Sequence, residues 1–133
     1  MRCTAIFLAS IIALAVGGCG ESDTVKVTGT VTYDGAPADQ AEILFTPKVG
    51  RPASAVVDSQ GKFVLSTSSE GDGAVPGEHT VVVFDYYPAG KAPPMGGNAP
   101  TRYPANYGNP EQSPFRATVE RGKTNDFLFE MKQ

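Results

Sequence analysis

Between residues 25 and 131 apolar and polar side chains alternate at period two over most of the chain. Residues 25–33 place Val25, Val27, Val31 and Tyr33 on one face and Lys26, Thr28, Thr30 and Thr32 on the other, as in a half-buried strand. Asp34-Gly35-Ala36-Pro37 then supplies a turn with a residue at positive φ. A second strand follows over 41–46, with Ile43 and Phe45 on a shared face, and Pro47 ends it. The stretches 53–58 and 62–67 flank Ser59-Gln60-Gly61 and read as a hairpin with Phe63 and Leu65 facing one way. After the polar loop 68–77, residues 78–86 hold Val81-Val82-Val83-Phe84, apolar on both faces, as a central strand requires. Residues 115–120 set Phe115, Ala117 and Val119 against Arg116, Thr118 and Glu120; residues 126–131 set Phe127, Phe129 and Met131 against Asp126, Leu128 and Glu130. Arg121-Gly122-Lys123-Thr124-Asn125 joins these two as a terminal hairpin. The pattern predicts an all-β fold, a seven-stranded antiparallel β-sandwich, spanning 25–133.

The period of two does not extend to the N-terminus. Arg2 opens a short basic segment, residues 5–16 are almost wholly apolar, and Gly17-Gly18 closes the run. A spanning helix needs about 20 apolar residues, so residues 1–18 read as a secretory signal peptide. Val16-Gly17-Gly18-Cys19 resembles the bacterial lipobox: an aliphatic residue, two small residues, then the cysteine that takes lipid. The small residues let an extended backbone approach a peptidase closely. Cys19 is the expected lipidation site and residues 19–24 the tether, so the expected partner is a lipid bilayer. Five spacer residues, Gly20 to Thr24, reach at most about 17 Å and hold the domain close to that surface. The resemblance also implies the outer membrane, facing periplasm or exterior, because Gly20 stands where an Asp would signal retention at the inner membrane.

Composition narrows the chemistry. Eleven Lys and Arg stand against 14 Asp and Glu, a net charge of -3, which gives no electrostatic footprint for nucleic acid. Of two cysteines, Cys3 lies in the leader and Cys19 is assigned to lipid, so no disulfide is expected within the domain. A zinc peptidase site needs two His and a carboxylate, and His79 is the single His in the chain. His79 opens the central strand, opposite in parity to Thr80, Val82 and Phe84; a lone strand His is expected at a surface or edge. No G-x-S-x-G elbow is present for a Ser nucleophile. Asp34 and Asp58 sit in turns without the ligand frame of a calcium loop. Lys26 lies on the polar face of the first strand, which argues against an internal isopeptide bond. The expectation is a non-catalytic domain without metal or cofactor.

Val27-Thr28-Gly29-Thr30-Val31-Thr32-Tyr33-Asp34-Gly35, Ile43-Leu44-Phe45-Thr46-Pro47, Val57-Asp58-Ser59-Gln60-Gly61-Lys62-Phe63 and Asp72-Gly73-Ala74-Val75-Pro76-Gly77-Glu78 resemble the carboxypeptidase regulatory-like domains, which are transthyretin-like modules. The similarity runs over about residues 25–131 and falls on turns and core positions. It implies a structural or binding module of the cell envelope, with a protein or glycan partner.

Residues 87–114 break the pattern: seven Pro and four Gly in 28 residues, with Tyr87, Arg102, Tyr103 and Tyr107 interspersed. Ordered domains seldom hold a structureless loop beyond about 15 residues unless it has a role. One reading makes it a carbohydrate- or peptide-binding loop with those four residues as anchors. The other makes it a crossover that wraps a sheet edge, with Tyr103 and Tyr107 packed on the domain.

Overall fold

The computed structural model describes residues 23–88, 90–91 and 101–133. The expected signal peptide 1–18, Cys19, the first part of the tether and residues 89 and 92–100 lie outside the described residues. Eight strands and one short helix follow in order: β1 (Val27–Tyr33), β2 (Ala36–Pro37), β3 (Ala41–Pro47), β4 (Ala53–Val56), β5 (Lys62–Val64), β6 (Gly77–Asp85), the 3-10 helix η1 (Ala105–Gly108), β7 (Arg116–Val119) and β8 (Asn125–Met131). Each of the seven expected strands has a counterpart. The addition is β2, which pairs with the end of β1 across Asp34-Gly35. Both turn residues sit at positive φ, 48° and 83°, the requirement of a type I′ hairpin.

The strands form two sheets. In the first, β1 is central, with β2 and β5 on one side and β8 on the other; the second runs β4-β3-β6-β7. Alternate residues of both face one core, where Val27, Val31 and Phe129 of the first sheet meet Ile43, Phe45, Val81 and Val83 of the second. The ring of Phe45 lies between the sheets, with centroids 6.2 Å from Phe63, 5.9 Å from Phe127 and 5.9 Å from Phe129.

Three expectations of strand pairing are corrected by the structure. The sheets are not wholly antiparallel, because β8 runs parallel to β1, Val27 opposite Asn125 through Tyr33 opposite Met131. Nor is β7–β8 a hairpin: β7 pairs with β6, and the 120–124 turn carries the chain across to the other sheet. The physical reason lies in the side chains. Phe127 and Phe129 pack against Phe45, Phe129 also stacks on Phe63, and the site that achieves this is beside β1. The 53–58 and 62–67 stretches meet only at their two ends: beside the turn the Asp58 N–H donates to the Lys62 carbonyl at 2.9 Å, and at the far end Ser54 and Ser66 exchange N–H···O bonds of 3.0 Å. Between these the arms part, β4 joining β3 and β5 joining β1.

Gly29 stands where three of these elements converge. A Cβ built there would meet the Phe127 carbonyl oxygen and the Phe63 ring, each at 2.5 Å, so the close seating of β8 and of Phe63 on β1 needs a residue without a side chain. The Gly29→Ala variant is expected to lose about 1–3 kcal/mol of stability through this overpacking, read from denaturant midpoints. A variant as stable as the parent contradicts the packing described.

Candidate functional site

The four candidate loop residues, Tyr87, Arg102, Tyr103 and Tyr107, fall just beyond the C-terminal end of β6 and in the segment 101–114. Asp85 closes β6 on its inward face, in parity with His79, Val81 and Val83, and its carboxylate is 4% exposed. A carboxylate there needs a cation and donors. Arg102 supplies both: its backbone N–H donates to Asp85 Oδ2 at 2.8 Å and its Nε to Oδ1 at 2.7 Å. The remaining guanidinium nitrogens donate to the carbonyls of Asp39 (3.2 Å) and Gln40 (2.9 Å). The bond to Asp85 raises the Arg102 pKa above its ordinary value.

Tyr103 and Tyr107 also turn inward. Tyr103 Oη donates to the Asp39 carbonyl at 2.8 Å, and its ring meets Tyr33 edge-on, centroids 5.5 Å apart. Burial pushes the Tyr103 hydroxyl pKa up. Tyr107, on η1, stacks on Phe115 at 5.2 Å, accepts the Lys132 N–H at 2.9 Å and donates to the Lys132 carbonyl at 3.3 Å. Ser113 Oγ donates to the Val81 carbonyl at 2.6 Å, and the Val81 N–H donates to the Phe115 carbonyl at 3.1 Å. The segment thereby covers the edge of β6 that β7 is too short to reach. Of the four proposed ligand anchors, Arg102, Tyr103 and Tyr107 are held in internal contacts, while Tyr87 presents its side chain to solvent at 37% exposure. A shallow cavity of about 160 Å³ lies under the segment, lined by Phe84, Asp85, Thr101 and Tyr103 among others. A wider one of about 490 Å³ opens at the tether end beside Asp23, Arg51 and Ser68.

His79 does not lie at the surface, as the sequence led us to expect. It is fully buried against Phe45, centroids 5.6 Å apart, and its Nε2 donates to the Val75 carbonyl at 2.7 Å. Nδ1 is buried with no partner. The period-two parity that places His79 with Val81 and Val83 was the available signal. The ring lines neither cavity just described.

The turn carboxylates are consumed locally. Asp58 Oδ1 accepts the N–H groups of Gln60 and Lys62 at 2.8 and 2.9 Å. Asp72 accepts those of Thr67, Ser68 and Ser69. Among the described residues no three His, Cys, Asp or Glu side chains cluster as a metal would need.

No family model matches the chain. Neither a curated protein nor a solved structure matches it. The functional reading rests on the residues themselves, and the most highly connected of them, Asp85 and Arg102, form a clamp that holds the crossover to the β2–β3 connection.

Two outcomes follow. Arg102→Ala leaves Asp85 buried without its cation, an expected loss of about 2–3 kcal/mol, toward the low end because the guanidinium is 49% exposed. Arg102→Lys should restore less than half, since one ammonium cannot span the same acceptors; full recovery in urea melts would refute the clamp. Asp72 has its pKa lowered from the ordinary 3.8 by the Thr67 and Ser68 N–H bonds. Its contribution is therefore present above that pH and lost as pH falls through the folded value. Asp72→Asn should flatten the fall in stability below about pH 4, and an unchanged acid limb contradicts the assignment.

Proposed function

We propose that the protein is a lipid-anchored, non-catalytic β-sandwich of the cell envelope, tethered through an acylated Cys19 and serving as a structural or binding module. The observation that carries this is Val16-Gly17-Gly18-Cys19 at the end of a basic and apolar leader, only four residues before the described domain begins at Asp23. More than one acyl chain is needed for a stable anchor, and a processed bacterial lipoprotein carries more than one. The resemblance to transthyretin-like, carboxypeptidase regulatory-like modules supports the non-catalytic reading, because its residues serve turns and core: Gly29 and Gly61 lie in crowded backbone, and Phe63 packs on Phe45. The lone imidazole is turned into the core, and the buried Asp85 carboxylate and its Arg102 partner are spent on the crossover. Gly20 favours the outer membrane over the inner.

A second reading, recognition of a glycan or peptide by the loop 87–114, retains Tyr87 as its accessible ring.

Cells fed an alkyne fatty acid should label the wild-type chain and not Cys19→Ala; equal labelling removes the anchor. On glycan and peptide arrays, Tyr87→Ala should abolish any hit that belongs to the loop, whereas hits indifferent to that change exclude the second reading.

A further inference from the structure

The two lateral edges of the sandwich are finished differently. On one, Ser54 and Ser66 join β4 to β5. On the other, β8 pairs with β1 alone among the described residues. The direction of its backbone groups follows from two bonds. The Met131 carbonyl accepts the Asp34 N–H, at the end of β1, whereas the N–H and C=O of Lys132 both meet Tyr107 Oη on the opposite side. Backbone groups alternate along a strand, so the N–H and C=O groups of Asp126, Leu128 and Glu130 point outward from the sheet edge. No bond to them is made by any described residue outside the β1–β8 pairing. Tyr107 stops this open stretch at one end. The Asn125 side chain, bonded to the backbone of Glu120 and Lys123, stops it at the other.

The side chains on this stretch are equally specific. Asp126, Leu128 and Glu130 are exposed on the outer face, Leu128 at 61%. An edge of this length normally carries a Lys, a Pro or a bulge against strand addition; here it carries two acids flanking an apolar residue. Antiparallel pairing with a second copy about Leu128 would set Asp126 against Glu130 of that copy, and like charges directly opposite are destabilising. The same charges favour an incoming strand with Lys or Arg at those positions.

We propose that β8 is a strand-addition site for an extended basic segment of another protein, with Lys or Arg facing Asp126 and Glu130 and an apolar residue facing Leu128. Main-chain bonds to the outward groups supply attachment, and the alternate side chains supply selection. The acids serve both purposes, repelling a second β8 and selecting the partner. This goes beyond the anchoring reading and does not depend on Cys19.

The test uses the full chain in detergent and a fluorescent peptide Thr-Lys-Thr-Val-Thr-Lys-Thr. Saturable binding is expected, weakened about tenfold or more when the peptide amides facing β8 are N-methylated. Leu128→Pro removes an outward N–H without touching the β1 ladder and should weaken binding similarly. Asp126→Lys with Glu130→Lys should reverse the preference toward the peptide with Glu in place of Lys, and this variant decides the matter if Leu128→Pro fails to fold. Absence of binding to the wild-type chain, binding indifferent to N-methylation, or an unreversed charge preference overturns the proposal, as does a β8-dependent homodimer.

Discussion

The fold depends on burying one cluster of aromatic rings between two thin sheets. Phe45 is its centre: fully buried on β3, it meets Phe63 from β5, Phe127 and Phe129 from β8, and His79 from β6. Removing a large aromatic from such a site costs about 3–5 kcal/mol, a large share of the stability of a domain this size. To bring rings from both ends of the chain to one point, β8 must return beside β1, and it does so in parallel. The chain crosses between sheets four times, at 38–40, 57–61, 65–76 and 120–124. Gly29 is the local consequence, a position where Phe63 and the β8 backbone approach so closely that a Cβ has no room.

The sequence announced strands more fully than it announced their partners. Periodicity reports which residues face the core, and it did so for every strand from β1 to β8 except the two-residue β2, whose length carries no period. It does not report which sheet an element joins, because a core-facing residue is core-facing from either side. The β7–β8 turn accordingly read as a hairpin, although the ladder it was expected to close is divided between β6 and β1. His79 shows the same limit at the level of chemistry. Its parity with Val81 and Val83 was plain, but residue type argued for a surface; what overrode it was the Val75 carbonyl, as the Arg102 fork holds Asp85 on the same face. Arg102 comes from a stretch whose Pro and Gly content marked it as irregular without indicating what it would bind.

Finishing sheet edges is the common purpose of the features that remain. A sandwich with two four-stranded sheets has edges to cover, and three devices contribute: a serine bridge between β4 and β5, the 113–115 segment along the part of β6 beyond β7, and Tyr107 against Lys132 at the end of β8; among the described residues β7 pairs with β6 alone. The Pro-rich crossover is held for this work by the Asp85–Arg102 clamp, which is why its Arg and two of its Tyr residues are drawn inward. Because η1 stops at Gly108 and Tyr107 reaches only Lys132, the cover ends before Glu130. What is left on β8 is protected against its own kind by Asp126 and Glu130 rather than by a blocked backbone. A Pro or a bulge closes an edge to every strand, whereas paired acids close it only to strands of like charge. The choice of charge over blockage leaves the β8 edge selective, and Leu128, the apolar residue on the outer face of β8, marks where the selection is centred.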